Sequence, residues 1–254
     1  MNLHFDSFVL AAATADLADE PLARDHADAV EFRMDLADDP RVQLEDYDGE
    51  LPILATNRAE WEGGAAPRAA ERSSSAKLRS ADSRAAQPQD DGDEPRDDEG
   101  RLETLAEVTA LEPVAAIDVE LQSILDGDAE RLLETARDRG VAVIASAHDF
   151  EGTPPRPELV RTLTEAGKYA DVAKLAVTAE SKADTLALLS ATEQLTSHGD
   201  TVATMAMGEV GSHTRAVAPV YGSKIGYAPV DPEEATAPGQ YDLETLRSLV
   251  DELR

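Results

Sequence analysis

Eight short apolar runs, separated by amphipathic or polar sequence, recur along the 254-residue chain. Most are rich in Val, Ile and Ala and nearly continuous rather than alternating, which is typical of parallel strands covered on both faces. The runs are Phe8–Ala13, Ala29–Asp35, Leu51–Asn57, Val114–Leu121, Val141–Asp149, Val172–Thr178, Thr201–Met207 and Pro219–Ala228. Eight such runs in about 250 residues predict an α/β fold, a (β/α)8 barrel, as a single domain over residues 1–254.

The segments between these runs carry helical patterns that fit the alternation. Asp128–Arg139 begins with acidic residues, ends with arginines and is followed by Gly140, a suitable C-terminal cap. Asp242 is an N-cap candidate for a helix that reaches Leu253. An open doubly wound sheet is the rival fold. It has less support, because no G-x-G-x-x-G follows the first strand and no P-loop occurs.

One segment, Ala65–Asp98, interrupts the alternation. It is rich in Ala, Ser, Asp and Arg and holds a single large aliphatic residue, Leu78. Such a segment cannot bury enough apolar surface to order itself, so we expect a flexible, low-complexity, acidic insertion after the third strand. It would lie on the side of a barrel that carries the site loops. Two alternatives stay open: an inert spacer, or a segment that influences access to the site.

The charge and residue inventory excludes several classes of protein. The net charge is −29, from 52 acidic and 23 basic residues, so nucleic-acid and membrane partners are not expected. The absence of cysteine excludes disulfides, thiolate zinc sites and cysteine nucleophiles. The N-terminus lacks signal-peptide features, and no apolar run approaches the ~20 residues of a membrane span. We therefore expect a soluble, cytoplasmic protein.

The same composition predicts dependence on salt. Acidic residues are spread along the whole chain, and lysine is scarce. Self-repulsion of this size destabilises a compact state unless salt screens it, which is typical of a halophilic cytoplasm. We expect the melting temperature to rise by about 5 °C or more between dilute buffer and molar salt. Thermal unfolding followed by circular dichroism measures this, and an unchanged melting temperature would contradict a halophilic origin.

A lysine inside an apolar run is the most unusual residue of the chain. Lys174 lies in "VAKLAVT", one of only five lysines, and burial of a charged amine is costly unless the amine is paired or neutral. A structural salt bridge to a carboxylate on a neighbouring strand is one explanation. The other is a nucleophilic amine that attacks a ketone or aldehyde and forms a Schiff base.

Other polar side chains gather where the apolar runs end, which in a (β/α)8 barrel is the face that carries the site. His148, on the preceding run, is a candidate to transfer protons, and Arg215 could hold a carboxylate bidentately. Four charged residues of the second and fourth runs, Glu31, Arg33, Asp118 and Glu120, have two possible roles: ion pairs within the barrel or contact with substrate. No two histidines have the spacing of metal ligands.

Several of these strings together resemble one enzyme family. "EFRMD", "TNRAEWEGG", "IDVEL", "SAHDFEGTP", "ADVAKLAVTA", "MG" and "ATAPGQ" occur in the order found in type I 3-dehydroquinate dehydratases, which are TIM barrels. The resemblance runs from about Ala29 to Gln240 and leaves Ala65–Asp98 unmatched. The most specific part is "SAHDFEGTP" followed by "VAKLAVTA", with "APGQ" downstream.

The resemblance implies a role for each matching residue. It implies that Lys174 is the Schiff-base lysine, His148 the general acid and base, and Glu62 the carboxylate that orients the histidine. It implies that Arg215 clamps the substrate carboxylate. The remaining matches are Glu31, Arg33 and Arg58, which would contact substrate hydroxyls or shape the pocket, and Thr236 and Gln240 on a loop that closes over the ligand. The family often has Ser where this chain has Thr236, and the hydroxyl is retained.

The implied reaction is the dehydration of 3-dehydroquinate to 3-dehydroshikimate in the shikimate pathway, without metal or organic cofactor. The family is commonly dimeric, so a homodimer is possible. A class I aldolase is the runner-up, but it typically needs a phosphate-binding loop, and no Gly-rich candidate follows the last runs. A third class is a barrel that binds a ligand without catalysis. Against it stand the intact residues Lys174, His148, Glu62 and Arg215.

Overall fold

Eight parallel strands form the centre of the computed structural model, which describes residues 3–66, 99–231 and 239–254. The strands are β1 (Val9–Thr14), β2 (Ala29–Arg33), β3 (Ile53–Thr56), β4 (Val114–Glu120), β5 (Ala142–Asp149), β6 (Val172–Thr178), β7 (Val202–Met207) and β8 (Ile225–Pro229). The predicted (β/α)8 barrel is confirmed, because each apolar run supplies one strand.

The strands follow one another in space as in sequence, and β1 pairs with both β2 and β8. The last seam, between β7 and β8, is joined just before β8 begins. The Lys224 N–H donates to the Val202 carbonyl at 2.8 Å, and the Ser223 hydroxyl accepts from the Thr204 N–H at 2.9 Å. The barrel is therefore nearly closed, and its carboxyl ends all face one side.

Nine α-helices are present in the described part of the chain. They are α1 (Glu20–Ala23), α2 (Pro40–Glu45), α3 (Glu99–Val108), α4 (Leu121–Leu125), α5 (Glu130–Arg139), α6 (Arg156–Ala166), α7 (Lys182–Ser197), α8 (Thr214–Val217) and α9 (Leu243–Leu253). The two predicted caps are confirmed: Gly140 ends α5 with φ 68°, and the Asp242 side chain accepts from the Thr245 N–H at 2.9 Å.

The first half of the eighth apolar run, predicted as strand, is not a strand. Ala218–Tyr221 forms a 3₁₀ turn that ends at Gly222 with φ 96°, and the strand begins only at Ile225. Pro219 has no N–H to donate to a ladder, so the start of this run suits a turn better than a strand.

Two layers of apolar packing surround the strands. The larger layer fills the space between the barrel and helices α3–α7, and includes Phe32, Ile117 and Leu188. The inner layer fills the barrel with small side chains such as Ala11 and larger ones such as Ile144 and Met205. Because the carboxyl end of the interior holds polar side chains instead, a pocket opens there.

The predicted insertion, Ala65–Asp98, lies outside the described residues apart from its first two positions. Within the described ranges, every helix is too short or too polar to cross a bilayer.

Candidate active site

A polar pocket lies at the carboxyl ends of the strands, and side chains from most of the strands line it. The lining residues are Glu31, Arg33, Thr56, Arg58, Glu62, Gly63, His148, Phe150, Lys174, Ala176, Met205, Met207, Arg215, Tyr227 and Gln240. Eight of the nine sequence-predicted site residues are therefore brought to one pocket. The ninth, Thr236, lies outside the described residues.

Lys174 in β6 is buried at the floor of this pocket and is ion-paired. Its Nζ donates to Oδ2 of Asp118 in β4 at 2.9 Å, while Arg58 holds the other carboxylate oxygen at 2.8 Å. Burial alone would raise the pKa of Asp118, but Arg58 and Lys174 hold it well below its usual range. The salt bridge considered for Lys174 is thus present, and Asp118 is an ionised carboxylate beside the amine.

Arg58 is the centre of a buried charge network behind the lysine. Its guanidinium contacts Glu120 at 3.2 Å and donates to the Ser146 hydroxyl at 2.6 Å. Burial alone would lower the pKa of Arg58, but Asp118 and Glu120 raise it above its ordinary value. The predicted ion pairs of Asp118 and Glu120 therefore exist, and they hold Arg58 rigidly because each buried charge has a partner.

A short turn after β3 carries Glu62 to the pocket. The 3₁₀ turn Glu60–Glu62 ends at Gly63, whose φ of 78° suits glycine. Gly64 lies so close to the Arg58 carbonyl that a Cβ there would come within 2.1 Å of its oxygen. The Glu-Gly-Gly sequence thus lets the chain fold back tightly and directs the carboxylate towards β5.

His148, near the end of β5, meets that carboxylate. Glu62 Oε1 accepts from the His148 backbone N–H at 2.7 Å and lies 3.2 Å from its ring Nδ1. The tautomer with its proton on Nδ1 donates to Glu62 and leaves the Nε2 lone pair free to take a proton. Phe150 stacks on the imidazole with ring centroids 5.9 Å apart, so carboxylate and phenyl ring together set the ring orientation.

Burial shifts the titration of both members of this pair. It lowers the pKa of His148 well below its ordinary value, and the positive charges of Arg58 and Lys174 lower it further. Burial raises the pKa of Glu62 to about 7, although Arg58 and the His148 N–H oppose that shift. His148 is therefore neutral at pH 7, the state that a general base requires.

Arg215, in α8 after β7, is buried at 4% exposure, and no described carboxylate lies within ion-pair distance of it. Its Nε has no hydrogen-bond partner, and burial lowers the pKa of its guanidinium to about 10. A buried cation without a counter-ion is costly. This end of the pocket is therefore suited to receive an anion from a ligand.

The three remaining predicted substrate contacts, Glu31, Arg33 and Gln240, have different hydrogen-bond partners or positions in the pocket. Glu31 Oε1 accepts a hydrogen bond from the Thr56 hydroxyl at 3.1 Å. Arg33 donates two hydrogen bonds to the Asp35 carboxylate, at 2.9 and 2.6 Å, so its ion pair is with Asp35. Gln240 lies at the mouth of the pocket.

Sequence reasoning missed several residues of the site, among them Arg101 and Tyr227, which contact its charged groups. Arg101 in α3 contacts Glu120 at 2.6 Å and donates to the Asn57 carbonyl at 2.8 Å. It lies in a polar stretch, and no sequence signal marks it as buried. Tyr227 in β8 lines the pocket beside Lys174, and its two-residue spacing from inward-facing Ile225 could have identified it.

A wider cavity of about 680 Å³ lies at the opposite end of the barrel, lined by residues such as Phe5, Ala142 and Thr201. It is remote from the charged network, and in this fold chemistry occurs at the carboxyl ends of the strands. Among residues 3–66, 99–231 and 239–254, no group of three or more His, Asp or Glu side chains could hold a metal ion.

Comparisons with known proteins agree with this geometry. Residues 9–254 match the family described as type I 3-dehydroquinase. The chain is 49% identical to the 3-dehydroquinate dehydratase of Haloarcula marismortui over 99% of both chains. It is 44% identical to that of Halobacterium salinarum, over 99% of this chain and all of the relative. Among solved structures, the 3-dehydroquinate dehydratase of Geobacillus kaustophilus superposes with a TM-score of 0.74 at 26% identity, covering 98% of this chain and 91% of that one.

Proposed function

The chain belongs to the type I 3-dehydroquinase family and is that of a halophile. On this premise we propose how its residues dehydrate 3-dehydroquinate to 3-dehydroshikimate. The reaction is that of a carbon–oxygen hydro-lyase in the shikimate pathway, and it proceeds through a Schiff base. The observation that carries the proposal is the buried Lys174, 2.9 Å from an ionised carboxylate and in one pocket with a neutral histidine.

Lys174 supplies the electrophile. Its amine nitrogen bonds to C3 of the substrate ketone, the ketone oxygen leaves as water, and a protonated imine remains. Asp118 supports this step because its carboxylate stabilises the positive charge that stays on the nitrogen. Arg58, fixed by Glu120 and Ser146, keeps the carboxylate in position.

His148 moves the protons. Its neutral imidazole takes a proton from C2, which the adjacent iminium acidifies by accepting the electron pair. The resulting imidazolium gives a proton to the C1 hydroxyl, which departs as water as the C1–C2 double bond forms. Glu62 supports this role because it accepts a hydrogen bond from Nδ1–H and stabilises the imidazolium while it exists. Hydrolysis of the imine then releases the product and regenerates Lys174.

Arg215 holds the substrate carboxylate. A bidentate pair with that carboxylate would satisfy a guanidinium that has no counter-ion among the described residues. Glu31, Arg33 and Arg58 contact substrate hydroxyls or shape the pocket wall. The proposal keeps Gln240, and Thr236 outside the described residues, as further ligand contacts. No metal or organic cofactor takes part in this proposal.

Loss of Arg215 should act on binding. We expect Arg215→Met to raise KM by about 100-fold, because a buried charge pair with the ligand is removed. The melting temperature of the free enzyme should not fall, since the buried cation is unpaired without ligand. Steady-state kinetics and thermal unfolding measure both. Arg161→Met, on the outer face of α6 with a side chain 75% exposed, is the matched control. An unchanged KM in Arg215→Met would contradict the clamp.

One experiment tests the proposed function as a whole. The protein is given 3-dehydroquinate in molar salt, the absorbance of the conjugated enone product is followed, and borohydride is added during turnover. Peptide mass analysis should locate the reduced adduct on Lys174. A protein that neither forms product nor gains an adduct would refute the proposal and leave a binding role.

The wider setting of the enzyme is part of the proposal. The acidic composition supports a cytoplasmic location and the absence of nucleic-acid partners. The proposal treats residues 1–254 as one barrel domain with an insertion at 65–98, because β3 and β4 on either side of that segment pair directly with each other. A homodimer is also proposed, and sedimentation in molar salt would test it.

A further inference from the structure

Tyr227 in β8 has a buried hydroxyl that lacks a hydrogen-bond partner among the described residues. The residue is 4% exposed, it lines the pocket, and no group in the described part of the chain accepts from or donates to its phenol oxygen. Buried polar groups nearly always have a partner, since an unsatisfied one costs its full desolvation penalty. Because this exception belongs to a residue that lines the pocket, we infer that the partner arrives with the ligand.

The ring of the same residue supports the lysine. Lys174 Nζ lies over the Tyr227 ring, 4.4 Å from its centroid, which is within the range of a cation–π interaction. A positive charge on Nζ is therefore held by the Asp118 carboxylate on one side and by the ring face on another. An iminium carries its charge at this same nitrogen, so the ring stabilises it as well.

The wall around Tyr227 is partly apolar, since Ala11, Met205, Met207 and Ile225 belong to the same cluster of the barrel interior. The charges of Asp118, Glu31 and Arg58 also act on the Tyr227 phenol, but among the described residues none of them is hydrogen-bonded to it. A substrate oxygen that faces the phenol would regain a hydrogen bond lost on leaving water, and the phenol would gain the partner that it lacks. Burial also raises the pKa of Tyr227 well above its ordinary value, so the phenol keeps its proton and remains a donor.

We propose that Tyr227 is a further catalytic residue of this enzyme: its ring stabilises the iminium on Lys174, and its hydroxyl donates to the ketone oxygen on the carbon that Nζ attacks. This inference rests on the proposed function. As the amine adds, the N–C bond forms and the carbonyl electron pair moves to oxygen. The phenol donates a hydrogen bond to that oxygen and keeps its own proton. Of the three protons on the Lys174 ammonium that Asp118 pairs with, two pass to this oxygen, which departs as water, and the third stays on the iminium nitrogen.

Tyr227→Phe tests the hydroxyl, because it keeps the ring. We expect kcat/KM to fall about 5-fold, the effect of one lost neutral hydrogen bond, while the melting temperature of the free enzyme stays equal or rises. Tyr47→Phe is the matched control: its hydroxyl donates to the Leu51 carbonyl at 2.7 Å, far from the pocket. That variant should lose stability and keep its activity. A Tyr227→Phe enzyme with wild-type kcat/KM, or with a melting temperature lowered like that of Tyr47→Phe, would overturn the hydroxyl's role.

Tyr227→Leu tests the ring. We expect the rate of borohydride-trapped adduct formation to fall a further 10-fold or so relative to Tyr227→Phe, because the cation loses the ring face. Equal trapping rates in the two variants would overturn the ring's role. Wild-type protein is trapped in parallel. If it forms no adduct on Lys174, the proposed function fails, whereas an active wild type with an equally active Tyr227→Phe refutes this inference alone.

Discussion

Replacing Lys174 by alanine should abolish the borohydride-trapped adduct and lower kcat by about 10⁴-fold or more, as loss of a covalent nucleophile does in other enzymes. Without the amine no iminium forms, so nothing accepts the electron pair when the C2 proton leaves. Product absorbance and peptide mass analysis after reduction measure both effects. Lys174→Met is a useful companion, because it retains more of the buried volume and limits any loss of packing.

The matched control is another lysine in an ion pair. Lys168 pairs with Glu165 on the surface, with its side chain 58% exposed, so Lys168→Ala should keep both activity and adduct. An adduct that persists in Lys174→Ala, or moves to another lysine without loss of rate, would refute the assignment of the nucleophile.

The second large effect is expected at His148. His148→Ala should still form the imine, because Lys174 and Asp118 are unchanged, but kcat should fall by about 10²–10⁴-fold, the usual contribution of a general acid or base. Borohydride should therefore trap an adduct that accumulates rather than one that turns over. Single-turnover kinetics with quenching at successive times distinguish imine formation from proton transfer. A wild-type kcat would overturn the assignment of the base.

The pH dependence offers an independent check on the same pair. Because the pKa of Glu62 is raised to about 7, its carboxylate ionises as pH rises through neutrality, and the ionised form strengthens His148 as a base. Activity should therefore rise as pH increases through about 7. Below pH 7 the loss of activity should be gradual, because His148 stays neutral until the pH is well below the ordinary pKa of histidine. In Glu62→Gln this rise near pH 7 should vanish. A profile unchanged by that substitution would mean that Glu62 does not tune the histidine.

Much of the site was accessible from sequence because of how parallel barrels are built. Polar residues at the carboxyl ends of successive strands must converge on one face, so Lys174, His148 and Arg58 could be grouped without coordinates. Their partners could not be assigned in this way. Arg33 bonds to Asp35 rather than across the barrel, and Arg101 reaches Glu120 from a helix that sequence pattern does not mark as buried. Such pairings depend on strand stagger and side-chain packing.

The sequence by itself determined the barrel and the chemistry it can carry. Eight apolar runs of strand length can be buried on both faces only with helices around them, and a lysine inside one of them has few explanations. The tertiary structure alone decided the state of each group. Distances of a few ångströms between strands far apart in the chain decide three things: the ion pair of Lys174, the missing counter-ion of Arg215 and the missing partner of the Tyr227 hydroxyl. Those distances set desolvation and Coulomb energies, which sequence order does not encode locally.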